Sequence, residues 1–489
     1  MSAVVALAPL TPLAGAVAIW LLRNRPNLRE AATLITATAL FALVASLVSE
    51  VAAGARPAAV LAEPLPGLTL AFEVEPLGMM FALVASGLWI VTSLYSIGYM
   101  RGNHEEHQTR FYVYFAIALA ATIGVAFAAN MLTLFVFYEA LTISTYPLVA
   151  HHGTDDARAG GRTYLAILLA TSIGFLLFAI ILTWQIAGTL DFVPGGVLAG
   201  KASPLVMGVL LALYVFGIGK AALMPFHRGL PAAMVAPTPV SALLHAVAVV
   251  KAGVFTVLKV FVYIFGVETL NDTDSAGWLL YIAGFTIITA SIVALRQDNL
   301  KRRLAYSTVS QLSYVVLAAA ILNPLSMIGA VLHIAAHAFG KITLFFAAGS
   351  IATASHKTQV SQLDGIGLRM PWTMASFAIG AISMVGLPPT VGFISKWYIL
   401  LGALDAENMV AIAIIVASTL LNAAYFLPIV YAAFFRREAV PSQGVAVAHG
   451  EAPPAIVAGL TVSAALTILL FLFPDAALGL AGQFVGRTP

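Results

Sequence analysis

The sequence predicts an all-α polytopic membrane protein with about fourteen transmembrane helices, and three observations carry that prediction. Hydrophobic residues make up 61% of the 489 and charged residues only 9%, against roughly a quarter charged in soluble domains. Apolar runs of about 20 residues, the length that crosses ~30 Å of hydrocarbon, recur along the whole chain. Lysine and arginine cluster in alternate connecting loops, the pattern that sets helix orientation in a bilayer.

The runs fall near 3–22, 31–50, 77–98, 111–128, 130–150, 163–187, 204–224, 239–265, 277–295, 303–321, 326–350, 372–400, 408–435 and 454–473. The first, Val4 to Leu22, has no base ahead of it and is followed by Arg23, Arg25 and Arg29. A cleavable signal peptide has the reverse order, so a retained helix entering from outside is expected. Loops after odd-numbered runs hold sixteen Lys and Arg, from Arg23 to Arg437, whereas the opposite side holds Arg56, Lys201 and Arg487. Positive loops stay cytoplasmic, so the expectation is a multi-pass protein of the cell membrane with both termini on the non-cytoplasmic side.

The chain has no cysteine, which excludes thiolate-bound iron–sulfur clusters, disulfides and thioether-attached haem on this chain; redox chemistry, if any, belongs to partners. No phosphate-binding glycine loop and no nucleic-acid motif appears, and no cofactor is expected. His104-Glu105-Glu106-His107 lacks the two-residue gap of the zinc-protease helix motif.

Two spans are interrupted by proline, the seventh at Met224-Pro225-Phe226-His227 and the twelfth at Gly386-Leu387-Pro388-Pro389. Lipid cannot satisfy the backbone groups that proline frees, so both breaks are expected to lie against protein or water. They stand five spans apart, as two five-helix repeats, helices 4–8 and 9–13, would require; an odd number of helices per repeat turns one half upside down relative to the other. The expected units are 1–110 (helices 1–3), 111–265 (first repeat), 266–440 (second, inverted repeat) and 441–489 (helix 14).

Five lysines and one acid remain inside the spans: Lys220, Lys251, Lys259, Lys341, Lys396 and Glu139. A charge at mid-membrane costs about 2.5–3.5 kcal/mol on insertion scales, so such residues face a bundle interior or a watery cavity. Glu139 needs a cationic partner, and Lys220, just before the seventh-span break, is the expected one. Burial alone favours the neutral amine and a nearby carboxylate favours the ammonium, so separating the pair would make the lysine a proton donor. The alternative is a static ion pair that fixes helix register.

Lys251 follows His245 by six residues, nearly two turns, so a relay between them would need water. For Lys259 the expectation is a stem that snorkels to the interface. In the eleventh span His333, His337 and Lys341 recur at i, i+4 and i+8, one face carrying three titratable groups over about 12 Å. Two histidines at that spacing could also ligate a metal, but no third ligand presents itself beyond Glu139, and no metal is expected. Ser307, Ser310, Gln311 and Tyr314 give the tenth span a polar face, for water beside that row or for helix-to-helix hydrogen bonds. Lys396, just past the Pro388-Pro389 break, is placed like a terminal proton-releasing group. Together Glu139, Lys220, Lys251, His337, Lys341 and Lys396 form a candidate proton path along the bundle's mid-plane.

These residues carry a resemblance. Tyr138-Glu139, Gly219-Lys220 with Pro225-Phe226-His227, the run from Ala236 to His245 leading to Lys251, Lys301-Arg302 with Leu304-Ala305-Tyr306-Ser307, the His333/His337/Lys341 row and Gly386-Leu387-Pro388-Pro389 with Lys396 cover roughly 110–440. On them the chain resembles the antiporter-like subunits shared by Mrp-type multisubunit cation/proton antiporters, respiratory complex I and membrane-bound hydrogenases. The resemblance implies that Glu139 and Lys220 are a modulating ion pair, that Lys251 and the histidines are the connecting relay, and that Lys396 is the terminal lysine. Length and the Gly-Phe-Ile-Ser-Lys context look most like the D-type member of the Mrp antiporters. A proton-translocating subunit of a Na+ or other monovalent-cation/proton antiporter, held among other membrane subunits, is therefore expected. The alternative from another class is the proton-pumping membrane subunit of a redox-driven complex.

Overall fold

The computed structural model describes residues 2–438 and 450–486; Arg487, counted above among the outer bases, lies outside them. The first three spans are α1 (Ser2–Leu21), α2 (Pro26–Ala45, continued by Val48–Ala52) and α3 (Pro76–Gly102). There follow α4 (Gln108–Ala126), α5 (Met131–Val149), α6 (Asp155–Thr171, carried on through a π turn to Ala187), α7 (Pro204–Gly217) and α8 (Thr238–Phe265). The second half holds α9 (Gly277–Arg296), α10 (Leu300–Ala320), α11 (Pro324–Ser355), α12 (Pro371–Val385), α13 (Val391–Asp405) and α14 (Met409–Phe435). The chain closes with α15 (Pro454–Leu472) and α16 (Asp475–Val485).

Eleven helices among the described residues are long and apolar enough to cross a membrane. Adding the interrupted α7, the broken α12–α13 pair and the polar-faced α10 gives the fourteen spans that the sequence predicts. Helix starts are written locally: the side chains of Asn130, Thr154, Asn299, Asn323 and Asn408 each accept a backbone N–H in the first turn of α5, α6, α10, α11 and α14. Leu21, Ile35, Tyr281, Phe285 and Leu420 point outward and exposed, as lipid-facing side chains do.

Two elements are absent from the expectation of helices alone. Ala58–Leu65 and Leu68–Glu73 form an antiparallel hairpin, β1 and β2, with Ala59 opposite Phe72 and Val60 opposite Ala71. Its turn is Pro66-Gly67, with Gly67 at φ +78°. The hairpin ties helix ends together: Asn130 donates its amide to the Thr69 carbonyl at 2.9 Å, and Ala129 N–H reaches the Ala71 carbonyl at 3.0 Å. The second is α16, on the same hairpin face, where Gln483 donates to the Ala52 carbonyl at 2.7 Å.

The opposite face is rich in arginine, and its loops are bonded to one another. Arg110 donates to the His151 carbonyl at 2.7 Å, and His151 is hydrogen-bonded to the Glu106 carbonyl. Burial, with Arg110 alongside, pushes His151 down to about 4, so it is neutral at pH 7 and donates that bond.

Position in the bundle follows burial. Within the most apolar 18-residue window, α11 is 94% and α8 is 89% buried, against 28% for α2 and 33% for α14. Polar side chains on α8 and α11 therefore face protein rather than lipid.

Both broken spans stand where the prolines predict, with one correction. The seventh span stops being α-helical after Gly217, so Lys220 lies inside the break, in the turn Gly219–Ala221, and not ahead of it. Gly253 of α8 allows this: a Cβ there would stand 2.4 Å from the Ala221 nitrogen. The twelfth span breaks at Gly386, which has φ +91° and where a Cβ would meet Lys396 Cδ at 2.6 Å. Gly386→Ala should thus destabilise the protein by more than about 1 kcal/mol, read as a lower melting temperature of the solubilised protein, whereas Gly479→Ala in α16, with open space around it, should not.

Candidate functional site

The site starts on α5. Tyr138 and Thr142 are four residues apart and share a face, which receives Lys220. Lys220 Nζ donates to the Tyr138 carbonyl at 2.8 Å and to Thr142 Oγ1 at 2.5 Å, and lies 3.1 Å from the Tyr138 ring centroid. Glu139 does not meet it. One residue on from Tyr138 is a rotation of about 100°, and Glu139 turns toward the side that holds exposed Val136 and Ile143. Both its carboxylate oxygens are shielded and without a hydrogen-bond partner among the described residues. The expected direct Glu139–Lys220 pair is not formed: Lys220 bonds to Tyr138 and Thr142, and the Glu139 oxygens are left without a hydrogen bond among the described residues.

Lys251 on α8 and His337 on α11 come together at the centre of the bundle, ammonium nitrogen to imidazole Nδ1. Both are buried, and one proton lies between them: either the ammonium donates to a bare Nδ1, or the Nδ1–H donates to a neutral amine. His337 Nε2 has no partner among the described residues. The i, i+4 spacing then places the His333 ring 6.1 Å from His337, nearly parallel. His333 is held on both nitrogens, Nδ1 by Ser395 Oγ at 2.9 Å and Nε2 by Gln311 Oε1 at 3.1 Å. Ser395 directly precedes Lys396 on α13.

Lys396 Nζ donates to the Met384 and Val385 carbonyls at 2.7 and 3.2 Å. These are carbonyls left open at the end of α12, where the helix dipole favours a cation. Its ammonium also lies 4.8 Å from the Tyr314 ring, and its side chain lines a lateral groove of about 250 Å³ with Trp397, Thr419 and Leu420.

Lys341 joins the network from another side. It donates to Ser307 Oγ at 2.6 Å, and Tyr425 donates to the same hydroxyl at 3.0 Å. The single Tyr425 O–H can go instead to Asn422 Oδ1, which accepts from Gln311 Nε2 at 3.2 Å. A branch Lys341–Ser307–Tyr425–Asn422–Gln311 therefore reaches His333. Among the described residues no carboxylate stands within 4.0 Å of Lys220, Lys251, Lys341 or Lys396.

His245 makes no hydrogen bond to Lys251, which lies six residues further along the chain. It sits in a π turn of α8, Leu243–Val247, with its ring 5.1 Å from Phe345 and both nitrogens unpartnered among the described residues. Lys259 departs from expectation: it is 1% exposed and pairs with Glu75 at 2.8 Å rather than snorkelling. Glu75 stands just ahead of Pro76 at the start of α3, buried, where the ammonium can reach it. Asn422 and Tyr425 complete this branch and are not singled out by the sequence reading. Their signal is an Asn in an otherwise apolar run with Ser418 at i−4 and Tyr425 at i+3.

Comparisons with known proteins bear on the family and the fold. Residues 128–422 match the family model NADH:quinone oxidoreductase/Mrp antiporter, TM, and residues 67–112 match the complex I chain 5 N-terminus. The chain is 34% identical over 371 residues to NADH-quinone oxidoreductase subunit N of Desulforudis audaxviator, covering 74% of this chain and 72% of that one. It is 30% identical over 379 residues to hydrogenase-4 component B of Escherichia coli, covering 74% of this chain but only 55% of that longer protein. In fold it matches a chain of the Mrp complex from Dietzia sp. DQ12-45-1b with TM-score 0.86 at 20% identity, over 99% of this chain and 97% of that one. It matches a chain of the membrane-bound sulfane sulfur reductase, an archaeal respiratory complex, with TM-score 0.85 at 25% identity, over 99% and 98% of the two. This chain is a multi-pass membrane protein that belongs to the NADH:quinone oxidoreductase/Mrp antiporter transmembrane family.

Proposed function

We propose that this chain is the proton-carrying subunit of a multisubunit monovalent cation (Na+)/proton antiporter, and that protons cross the membrane interior along its buried lysine–histidine axis. The observation that carries the reading is the row Lys251–His337–His333–Ser395 beside Lys396, hydrogen-bonded at each end with the two imidazoles stacked 6.1 Å apart in the middle, and without a carboxylate in contact. A static core has little use for four lysines with no carboxylate in contact, since each costs several kcal/mol if charged and unpaired.

In this mechanism each lysine is a stopping point and each histidine a bridge. Lys220 holds a proton against the Tyr138 carbonyl and Thr142. The unpartnered Glu139 biases it: a carboxylate that swings toward Lys220 stabilises the ammonium, and one that swings away releases the proton. Lys251 and His337 pass one proton along their shared hydrogen bond, and rotation of the His337 ring presents it to His333. Ser395 and the Gln311 branch hold His333 in line, and Lys396 discharges at the end of α12. When protonated the row repels Na+ and when neutral it offers no carboxylate to hold it, so the exchanged cation is assigned to other membrane subunits. The Arg-rich face is assigned to the cytoplasm of a cell membrane, which puts both termini on the other side.

A second reading is the proton pump of a redox-driven complex, in which the same axis is driven by electron transfer on other chains. The 34% identity to a NADH-quinone oxidoreductase subunit N favours it.

Inverted vesicles containing the whole complex test both. Lys251→Met, Lys220→Ala and Glu139→Ala complexes that assemble should lose at least tenfold in Na+-driven proton movement. Wild-type vesicles that move no protons with Na+ but do so with an electron donor would replace the antiporter by the redox reading. Full exchange in the mutants would reduce the axis to a structural feature.

The branch generates its own expectation. Gln311→Leu and Lys341→Met each interrupt one route to His333, and each should slow transport several-fold. If they lie on that single route, the double mutant should be no slower than the slower single; multiplied losses would show that they act independently.

A further inference from the structure

One buried titratable pair takes no part in that mechanism. Lys259 Nζ and Glu75 Oε1 stand 2.8 Å apart, and Tyr263 donates its hydroxyl to the other carboxylate oxygen. Lys259 also lies 4.3 Å from the Phe192 ring centroid. The pair forms the inner wall of a cavity of about 410 Å³ on the hairpin face, lined further by Arg56, Glu73 and Glu268. Arg56 and Glu268 are exposed at its rim, so the cavity opens to the aqueous side and is polar and roomy enough to hold a cluster of waters.

We propose that this cavity is a proton port on the hairpin face, with Lys259 and Glu75 as its terminal groups, connecting the aqueous phase there to Lys251. The proposal rests on the proton-transfer reading above. Lys251 and Lys259 are eight residues apart on α8, about 12 Å along the helix. Phe255 is four residues from each, with its ring 5.6 Å from Lys259 Nζ and packed on Phe81 at 5.2 Å. The ring stands between the port and the axis as a dry plug, and its displacement admits the water that links the two amines.

The transfer balances simply. A hydronium in the cavity gives one proton to the neutral Lys259 amine, breaking an O–H bond and forming an N–H bond. Glu75 remains ionised, and its negative charge stabilises the hydronium as it approaches. The Lys259 ammonium then passes a proton through water to the neutral Lys251 amine, so one proton leaves the port for the axis for each that enters it. A strut between α3 and α8 would need none of this: a buried ion pair is weak evidence of stabilisation, and a strut gains nothing from an opening to solvent.

Lys259→Arg tests the port. Arginine keeps the charge and the pairing to Glu75 but does not release a proton in any accessible pH range. In vesicles holding the whole complex, an assembled Lys259→Arg variant should move protons at least tenfold more slowly than wild type; wild-type rates would overturn the proposal. Should that variant not assemble, labelling decides, because the chain has no cysteine of its own. Val267→Cys at the cavity wall should react with a membrane-impermeant cationic methanethiosulfonate added on the hairpin face, and the label should slow transport. No reaction, or reaction with unchanged transport, would overturn the port, with the labelled wild-type complex as control. Lys251→Met in the same vesicles separates the two claims. Transport that persists there sinks the axis itself, whereas loss there alongside wild-type rates in Lys259→Arg sinks the port alone.

Discussion

Everything in the buried axis depends on the meeting of Lys251 and His337. It places an amine against an imidazole deep in the bundle with no carboxylate in contact, and two nitrogens that compete for one proton are the simplest unit able to move it. The fold supplies the conditions. α8 and α11 are the two most deeply buried long spans, which keeps lipid away from the contact. The i, i+4 spacing of His333 and His337 then extends it by one ring toward α13.

The broken helices serve that contact from both ends. An uninterrupted seventh span would bury its lysine among side chains, whereas the break after Gly217 presents Lys220 to a backbone carbonyl and a hydroxyl on α5. The break at Gly386 leaves the Met384 and Val385 carbonyls open, and Lys396 folds back onto them from the next helix. In both places a lysine is satisfied by dipoles and not by a counter-ion. Dipoles hold an ammonium without fixing it in the charged state as a carboxylate would, and a group that must give up its proton needs that arrangement.

Much of this is legible in the sequence. Apolar run lengths set the spans, prolines mark the breaks, and helical spacing puts His333, His337 and Lys341 on one face. What cannot be read concerns pairs on different helices, because no spacing rule connects them. Charge alone matches Glu139 to Lys220, yet a single-residue rotation on α5 turns the carboxylate aside, out of bonding contact. Lys259 reads as snorkelling because its partner, Glu75, sits in a loop 184 residues earlier. The Ser307–Tyr425–Asn422–Gln311 branch crosses from α10 to α14 and back, so only its α10 half shows as a polar face. The hairpin is hidden for another reason: its Pro66-Gly67 turn is visible, but apolar strands outside the spans look like connecting loop in a chain read for helices.

The central claim is that Lys251 and His337 share a mobile proton, and nitrogen-15 NMR of histidine-labelled complex in membranes tests it most directly. The His337 Nδ1 resonance should show a hydrogen bond to an amine in the wild type, lose it in Lys251→Met, and shift when a proton gradient is imposed across the membrane. A His337 signal identical in wild type and Lys251→Met, and indifferent to the gradient, would contradict the account.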